Sequence, residues 1–292
     1  MPEVLDRLIA LLSLEQIEVN LFRGQTQDLG WGQVFGGHVL GQALSAAAQT
    51  VPDDRSVHSM HGYFLLPGSV DRPIVYDVDR IRDGSSFTTR RVKAIQNGEA
   101  IFNMSASFQA AEEGFEHQDE MPDVPAPEGL ATQVELARMV ADQIPEPLRD
   151  RFTADSPIEI RPVEPMNYLD PDVREPTSAS WYQAAGELPD DSAIHRYLLA
   201  YASDFNFLST SMYPHGVSWM MPSIQVASLD HSMWFHRPFR FDEPILHVVE
   251  SPTASNGRGL VRGRMFDRDG RLVASTAQEG LIRQWDSGES SA

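Results

Sequence analysis

Residues 61–109 read HGYFLLPGSVDRPIVYDVDRIRDGSSFTTRRVKAIQNGEAIFNMSASFQ, and residues 230–282 read DHSMWFHRPFRFDEPILHVVESPTASNGRGLVRGRMFDRDGRLVASTAQEGLI. Both alternate apolar and polar residues in runs of strand length. Both carry a turn dipeptide between runs, Asn97-Gly98 in the first and Asp269-Gly270 in the second. Phe64 and Phe235 stand 171 positions apart, as do Pro73 and Pro244, while Gly98 and Gly270 stand 172 apart. An offset that steady across three landmarks means that the chain repeats one unit. Each unit also opens with a helix, FGGHVLGQALSAAAQ (35–49) before the first strands and SAIHRYLLAYASDFNF (192–207) before the second.

A helix followed by antiparallel strands, duplicated once, predicts an α+β fold in which each sheet wraps one helix. Gly41, Ala43, Ala46 and Ala47 suit the first helix to that role, because they let a sheet come close to its backbone. The Gly36-Gly37 entrance leaves backbone N–H groups free, which suits an anion or oxyanion as well as a plain tight turn. Between the repeats, residues 111–189 are acidic and rich in proline, as in MPDVPAPEG and PVEPMNYLDPD. This stretch is expected to wrap the surface, with a helix in ATQVELARMVADQI and a strand around IEIRPVE. A structureless loop of that length is rare in a compact fold, so most of it should be docked.

The 292 residues contain no cysteine, which removes disulfides, thiolate metal sites and a cysteine nucleophile. Lys and Arg total 23 against 42 Asp and Glu, a formal charge of −19 that repels nucleic acid and anionic lipid. Lys93 is the only lysine. A polyphosphate partner would therefore need an arginine patch, and Arg80, Arg82, Arg90 and Arg91 form one cluster while Arg258, Arg262 and Arg264 form another. The N-terminus carries acidic residues within its apolar stretch and reads as an amphipathic helix, not a leader. No run is long enough to span a membrane. The final Ser290-Ser291-Ala292 is not a peroxisomal address, so a cytoplasmic protein is expected.

Asp204 is the residue that asks for an explanation. A helix starting near Asp190, Asp191 and Ser192 puts Tyr197, Tyr201, Asp204 and Leu208 on one stripe, the buried one. Burying a carboxylate costs several kcal/mol unless partners satisfy it. Two readings fit: a cap or ion-pair partner for a neighbouring element, or a catalytic base whose pKa is raised by an apolar setting. Histidines invite a metal reading at HSMH and DHSMWFH, but strand alternation sends His58 and His61 to opposite faces, and likewise His231 and His236. No metal site is expected. There is no G-x-S-x-G, which argues against a serine nucleophile on an α/β plan.

These stretches resemble the acyl-CoA thioesterase II family, the double-hotdog thioesterases. The resemblance rests on WGQVFGGHVLGQAL (31–44), the strand run 57–109 with RDGSSFTTRRV, ASDFNFL (202–208), DHSMWFHRPF (230–239) and GRLVASTAQEG (270–280). It implies a double hotdog, with an N-terminal hotdog over 1–112, a linker over 113–160 and a C-terminal hotdog over 161–288. It also implies hydrolysis of fatty acyl-CoA by direct attack of water, with no cofactor, no metal and no covalent intermediate. The family's Asp falls on Asp204, its Gln on Gln278 and its hydroxyl residue on Ser228, where the family usually shows Thr. Gly36, Gly37 and His38 are the oxyanion candidates, and His58 is a candidate secondary contact to the acyl-CoA. Gln278 aligns with Ala106 of the first repeat, and Ala or Gly is expected opposite Asp204, so one active site per chain follows. Trp219, Met220, Met221 and Trp234 are candidates to set the acyl tunnel. Uncovered sheet edges and backs predict a homo-oligomer, a dimer or tetramer.

Two rivals remain. An enoyl-CoA hydratase of the same fold carries Asp-x-Asn-Pro-aliphatic-His, whereas this chain has Phe207 in place of the Pro and Ser209 in place of the His. A non-catalytic acyl-CoA-binding module would lack Asp204 or Gln278, and both are present.

Overall fold

Helix α2 (Gly36–Ala48) has eleven of its thirteen residues buried, so it has no solvent face at all. A helix of that kind can exist only where other elements surround it, and its composition of Val, Leu, Ala and Gly provides for that. Its one amide, Gln42, is fully buried and satisfied: Nε2 donates to the Leu11 and Gln25 carbonyls, and Oε1 accepts from the Tyr76 hydroxyl at 2.8 Å. The computed structural model describes residues 2–285; Ser290-Ser291-Ala292, and positions 286–288 of the expected second hotdog, lie outside the described residues.

Around α2, α1 (Pro2–Leu12) lays Leu5, Leu8 and Leu12 into the core and turns its charged side outward. The strands of the first half are β1 (Glu15–Glu18), β2 (Leu21–Gly24), β3 (Arg55–Phe64), β4 (Ile74–Asp83), β5 (Phe87–Gln96) and β6 (Glu99–Ala110). The middle of the chain holds α3 (Gln133–Met139), α4 (Glu146–Thr153), β7 (Ile158–Pro162) and β8 (Thr177–Ala184). The second half follows with α5 (Ser192–Ala202), β9 (Ile224–Ser228), β10 (Asp230–Phe235), β11 (Ile245–Ser255), β12 (Arg258–Phe266) and β13 (Leu272–Gln284).

Among the described residues the strands form one antiparallel sheet in the order β1-β2-β4-β5-β6-β3-β10-β13-β12-β11-β8-β7, with β9 also on β13. The order β4-β5-β6-β3 mirrors β11-β12-β13-β10, so the duplication is a pseudo-twofold one. The halves meet where β3 pairs with β10. His61 and Ser232, which are 171 positions apart, face each other there, with Nδ1 and Oγ at 3.1 Å. A residue paired with its own repeat equivalent marks the pseudo-axis.

Turn chemistry fixes the hairpins. Asn97 and Gly98 both take positive φ (54° and 81°), as a type I′ turn requires, and Asn256-Gly257 does the same between β11 and β12. That second turn went unread in the sequence. The middle of the chain is docked: Trp181 Nε1 donates to the Pro125 carbonyl at 2.9 Å, and Gln118 Nε2 to the Gly270 carbonyl at 2.7 Å. The expected helix in 131–144 is shorter, stopping at Met139 before a 3₁₀ turn, and α4 and β8 are further elements that proline-rich composition concealed.

Helices α2 and α5 cross with almost no side chain between them. A Cβ on Gly37 would lie 2.1 Å from the Tyr201 carbonyl oxygen, and one on Gly41 3.1 Å from that of Tyr197. Backbone cannot yield as a side chain can. Gly37→Ala should therefore cost roughly 1–3 kcal/mol, the usual penalty of overpacking, and lower the melting temperature measurably. A variant that melts at the wild-type temperature would show that the helices do not approach this closely.

Candidate active site

Helix α5 begins where its capping residues place it, with Asp191 Oδ1 accepting from the Ala193 N–H at 2.9 Å. It ends earlier than the apolar stripe implies. The last helical residue is Ala202, and Asp204 sits two residues later in a turn that Asn206 closes at φ 56°. A 3₁₀ segment, Leu208–His215, follows. Asp204 thus leaves the end of α5 and reaches the start of α2. There, Phe35 at the N-cap offers no side-chain acceptor, so the first N–H groups of α2 depend on outside partners. The Asp204 carboxylate lies against that turn: a Cβ on Gly36 would stand 2.5 Å from its Oδ2, and the nearby Gly37 N–H favours the ionised carboxylate.

Burial raises the Asp204 pKa above its ordinary 3.8. The walls that desolvate it are aromatic: Phe35 packs on Phe205 with ring centroids 4.5 Å apart and on Tyr201 at 5.4 Å, and the Phe64 ring lies against Gly36. Three effects pull the other way, namely the field of His231, a hydrogen bond from Gln278 and the Gly37 N–H. The positive end of the α2 dipole acts in the same sense.

Gln278 comes from the inward face of β13 and is 1 % exposed. Its Nε2 donates to Ser228 Oγ at 2.8 Å. Ser228 ends β9, at the kink where the chain leaves β9 for β10, with the Leu229 N–H held by the Glu279 carbonyl at 2.9 Å and the Glu279 N–H by Asp230 Oδ1 at 2.7 Å. The structure therefore brings Asp204, Gln278 and Ser228 into one cluster. With its Oγ already accepting from Gln278, Ser228 keeps a hydroxyl proton to give. His231, from the inward face of β10, joins the cluster through Nδ1, 2.6 Å from Gln278 Oε1. Sequence reading set His231 aside; its alternation with the exposed Trp234 and His236 was the available signal.

Other candidates separate. His38 is buried with Nε2 on the Gln25 carbonyl at 3.0 Å, its backbone N–H is taken by the Phe35 carbonyl, and burial pushes its pKa down to about 4. It has no free donor for an oxyanion. The Gly37 N–H favours the ionised Asp204, and the Gly36 N–H has no backbone partner among the described residues. His58 is not in the cluster. A bulge between Val57 and Ser59 adds a residue to β3, so that His58 and His61 both point to the outer face of the sheet, contrary to simple alternation. His58 Nε2 lies 2.8 Å from Ser107 Oγ on that face. Trp234 is also an outer-face residue, stacked edge-on to His61 at 5.1 Å, and does not line a tunnel. Trp219 packs against Trp31 of the loop leading into α2, with ring centroids 5.1 Å apart.

The same place in the first half is filled. Two residues beyond the end of α2 stands Thr50, neither Ala nor Gly, and Ala106 takes the place of Gln278. Beside Ala106, on β5, Arg90 is fully buried, with Nε on Thr50 Oγ1 at 2.8 Å and Nη2 on the Thr50 carbonyl at 2.9 Å and on Asp83 at 2.6 Å. A satisfied guanidinium occupies the space where a second site would lie.

Comparison with known proteins follows this geometry. Residues 147–281 match the family model described as acyl-CoA thioesterase, and residues 26–109 match that of the acyl-CoA thioesterase N-terminal domain. The chain is 47 % identical over 283 residues to acyl-CoA thioesterase 2 of Haemophilus influenzae, covering 97 % of this chain and 99 % of that one. It is 41 % identical over 284 residues to human acyl-coenzyme A thioesterase 8, covering 94 % and 88 %. Among solved structures it is similar to an acyl-CoA thioesterase II from Mycobacterium marinum, with TM-score 0.78, 40 % identity and coverage of 97 % and 100 %.

The raised pKa of Asp204 has a sign that stability can test. Folding favours the protonated acid, so the penalty is absent below the unfolded-state value and grows as pH rises through the folded-state value. Asp204→Asn removes the charge and keeps an acceptor for the Gly37 N–H. Its melting temperature should equal that of wild type below about pH 4 and exceed it at neutral pH. A variant that melts below wild type at neutral pH would mean that the ionised carboxylate stabilises the fold.

Proposed function

The chain belongs to the acyl-CoA thioesterase II family and is a thioester hydrolase, and from that premise we propose that Asp204, Ser228 and Gln278 hold and activate the water that attacks a fatty acyl-CoA. The observation that carries the reading is the Asp204 carboxylate, desolvated by aromatic rings and set beside the Gln278–Ser228 pair at the junction of the two halves.

The chemistry asks little of the protein. A thioester carbonyl is electrophilic, and the thiolate that leaves has a pKa of about 8.5, so no strong general acid is needed. Asp204 accepts a proton from water as the oxygen attacks the carbonyl carbon; its raised pKa makes it a better base near neutrality. The Ser228 hydroxyl donates to one lone pair of that water and leaves the other for the carbon. The tetrahedral oxyanion faces the start of α2, where the Gly36 N–H and the helix dipole stabilise it. Collapse breaks the C–S bond, and the proton held by Asp204 leaves with the thiol. The acyl chain lies against Phe35, Phe64 and Phe205. Ser228 in place of Thr keeps the oxygen and gives up a methyl that would restrict its rotamer.

The homo-oligomer belongs to the same reading. The outer face of the sheet, opposite the helices, is carpeted at its centre with Ser105, Ser107, Ser232 and Ser275 around exposed Tyr63 and Trp234. Light scattering should find a mass of at least twice 32.6 kDa at micromolar concentration, and a monomer alone would contradict it.

Free-thiol release from saturated acyl-CoAs of increasing length tests the activity. Asp204→Asn should lower kcat by roughly 10² to 10⁴ and change substrate affinity little. Near wild-type kcat in that variant would remove Asp204 from the mechanism. Crotonyl-CoA should yield free thiol, and accumulation of 3-hydroxybutyryl-CoA would favour the hydratase.

A further inference from the structure

We propose that His231 is a positioning residue for the hydrolysis: its Nδ1–H fixes which end of the Gln278 amide faces Asp204 and Ser228. The inference rests on the reading of Asp204, Ser228 and Gln278 as the hydrolytic site, and its geometry is a chain of buried hydrogen bonds behind that site. His231 is fully buried. Its Nδ1 stands 2.6 Å from Gln278 Oε1, and its Nε2 stands 3.0 Å from Ser203 Oγ. Ser203, at the end of α5 and next to Asp204 in the chain, also reaches the Ala200 carbonyl at 2.9 Å. The ring is held in place by Phe207, with centroids 5.7 Å apart.

A carboxamide oxygen only accepts, so the Nδ1 facing it must carry a proton. This holds for both forms of the ring. In the neutral ring Nε2 accepts the single Ser203 hydroxyl proton, which then turns away from the Ala200 carbonyl; in the cation Nε2–H donates to Ser203 Oγ and that proton stays on the carbonyl. With Oε1 so occupied, the Gln278 NH₂ is turned to the other side, where it donates to Ser228 Oγ at 2.8 Å and favours the ionised Asp204 carboxylate. Turning the amide over would need a bare Nδ1 and would set Oε1 against the carboxylate. An unrestrained glutamine at this place would sample both orientations. In one of them the base loses a donor and Ser228 loses the bond that frees its proton for water. His231 removes that alternative and touches neither water nor substrate.

Three variants and one spectrum test the wiring. His231→Leu keeps bulk and removes the donor, and should lower kcat roughly 10- to 100-fold with KM nearly unchanged, the effect of a misplaced group near reacting atoms. His231→Asn keeps an N–H near the Nδ1 position and should restore most of that loss. The double variant His231→Leu/Gln278→Ala should be no slower than Gln278→Ala alone, because His231 acts only through the amide. An Asn variant as slow as Leu, or a double variant slower than Gln278→Ala, would overturn the proposal. Gln278→Ala hydrolysing at the wild-type rate would overturn the underlying reading of the site as well. Independently of activity and of how the variants fold, long-range ¹H–¹⁵N spectra of the histidine-labelled wild-type protein should show a protonated Nδ1 for His231, assigned by its loss in His231→Asn. A bare Nδ1 there would sink the idea even if every variant were slow.

Discussion

The contact between the Asp204 carboxylate and the first turn of α2 is the constraint on which the rest depends. It joins the end of one half's helix to the start of the other's. Each neighbouring feature follows from making it possible. Gly36 is required because a methyl there would stand on Oδ2, and Gly37 because a methyl would stand on the Tyr201 carbonyl. Phe35 at the N-cap brings no competing acceptor, and α5 stops at Ala202 so that the chain can turn toward α2. Helix capping and the proposed role as base, which looked like alternatives for this residue, are compatible in one geometry. The Gly37 N–H at that helix start also moderates the pKa that burial raises.

Duplication gave the fold its symmetry, and the site exists because the symmetry is broken. At the pseudo-axis His61 meets Ser232, and the paired sheets run out equally on either side. At the two equivalent places beyond the helices the residues differ in kind. One has Asp204 and Gln278 beside Ser228; the other has Thr50 and Ala106 around the buried guanidinium of Arg90. Arg90 makes its hydrogen bonds to Thr50, Asp83 and backbone carbonyls, so the closed place carries no unmet polar group.

Much of this was legible in the sequence because the repeat offset and the strand alternation are long-range and regular. The offset of 171 to 172 predicted the two wrapped helices, and Asn97-Gly98 predicted its turn. Asp204 stood out as a carboxylate in an apolar stripe. What stayed hidden depended on single-residue irregularities. The bulge at Val57–Ser59 moved His58 to the outer face, and periodicity has no term for one inserted residue. The stripe through Leu208 suggested a longer helix, because a turn that starts with Asp204 and ends at Asn206 keeps nearly the same spacing. The Gly-Gly entrance suggested an oxyanion site, and only the cross-half contact shows that this turn stands against Asp204. His231 was passed over once a metal role was declined, since the partners of its two nitrogens appear only in the folded chain.

The central claim is that Asp204 is a carboxyl whose proton affinity is set by burial at this junction and used in the reaction. The direct measurement is a ¹³C NMR titration of the aspartate carboxyls in the wild-type protein, with Asp204 assigned by its absence in Asp204→Asn, set beside the pH dependence of kcat. The account predicts that Asp204 titrates above the ordinary 3.8 and that the acid limb of kcat bends at the same pH. A carboxyl that titrates at or below the ordinary value, or an acid limb that bends elsewhere, would contradict it.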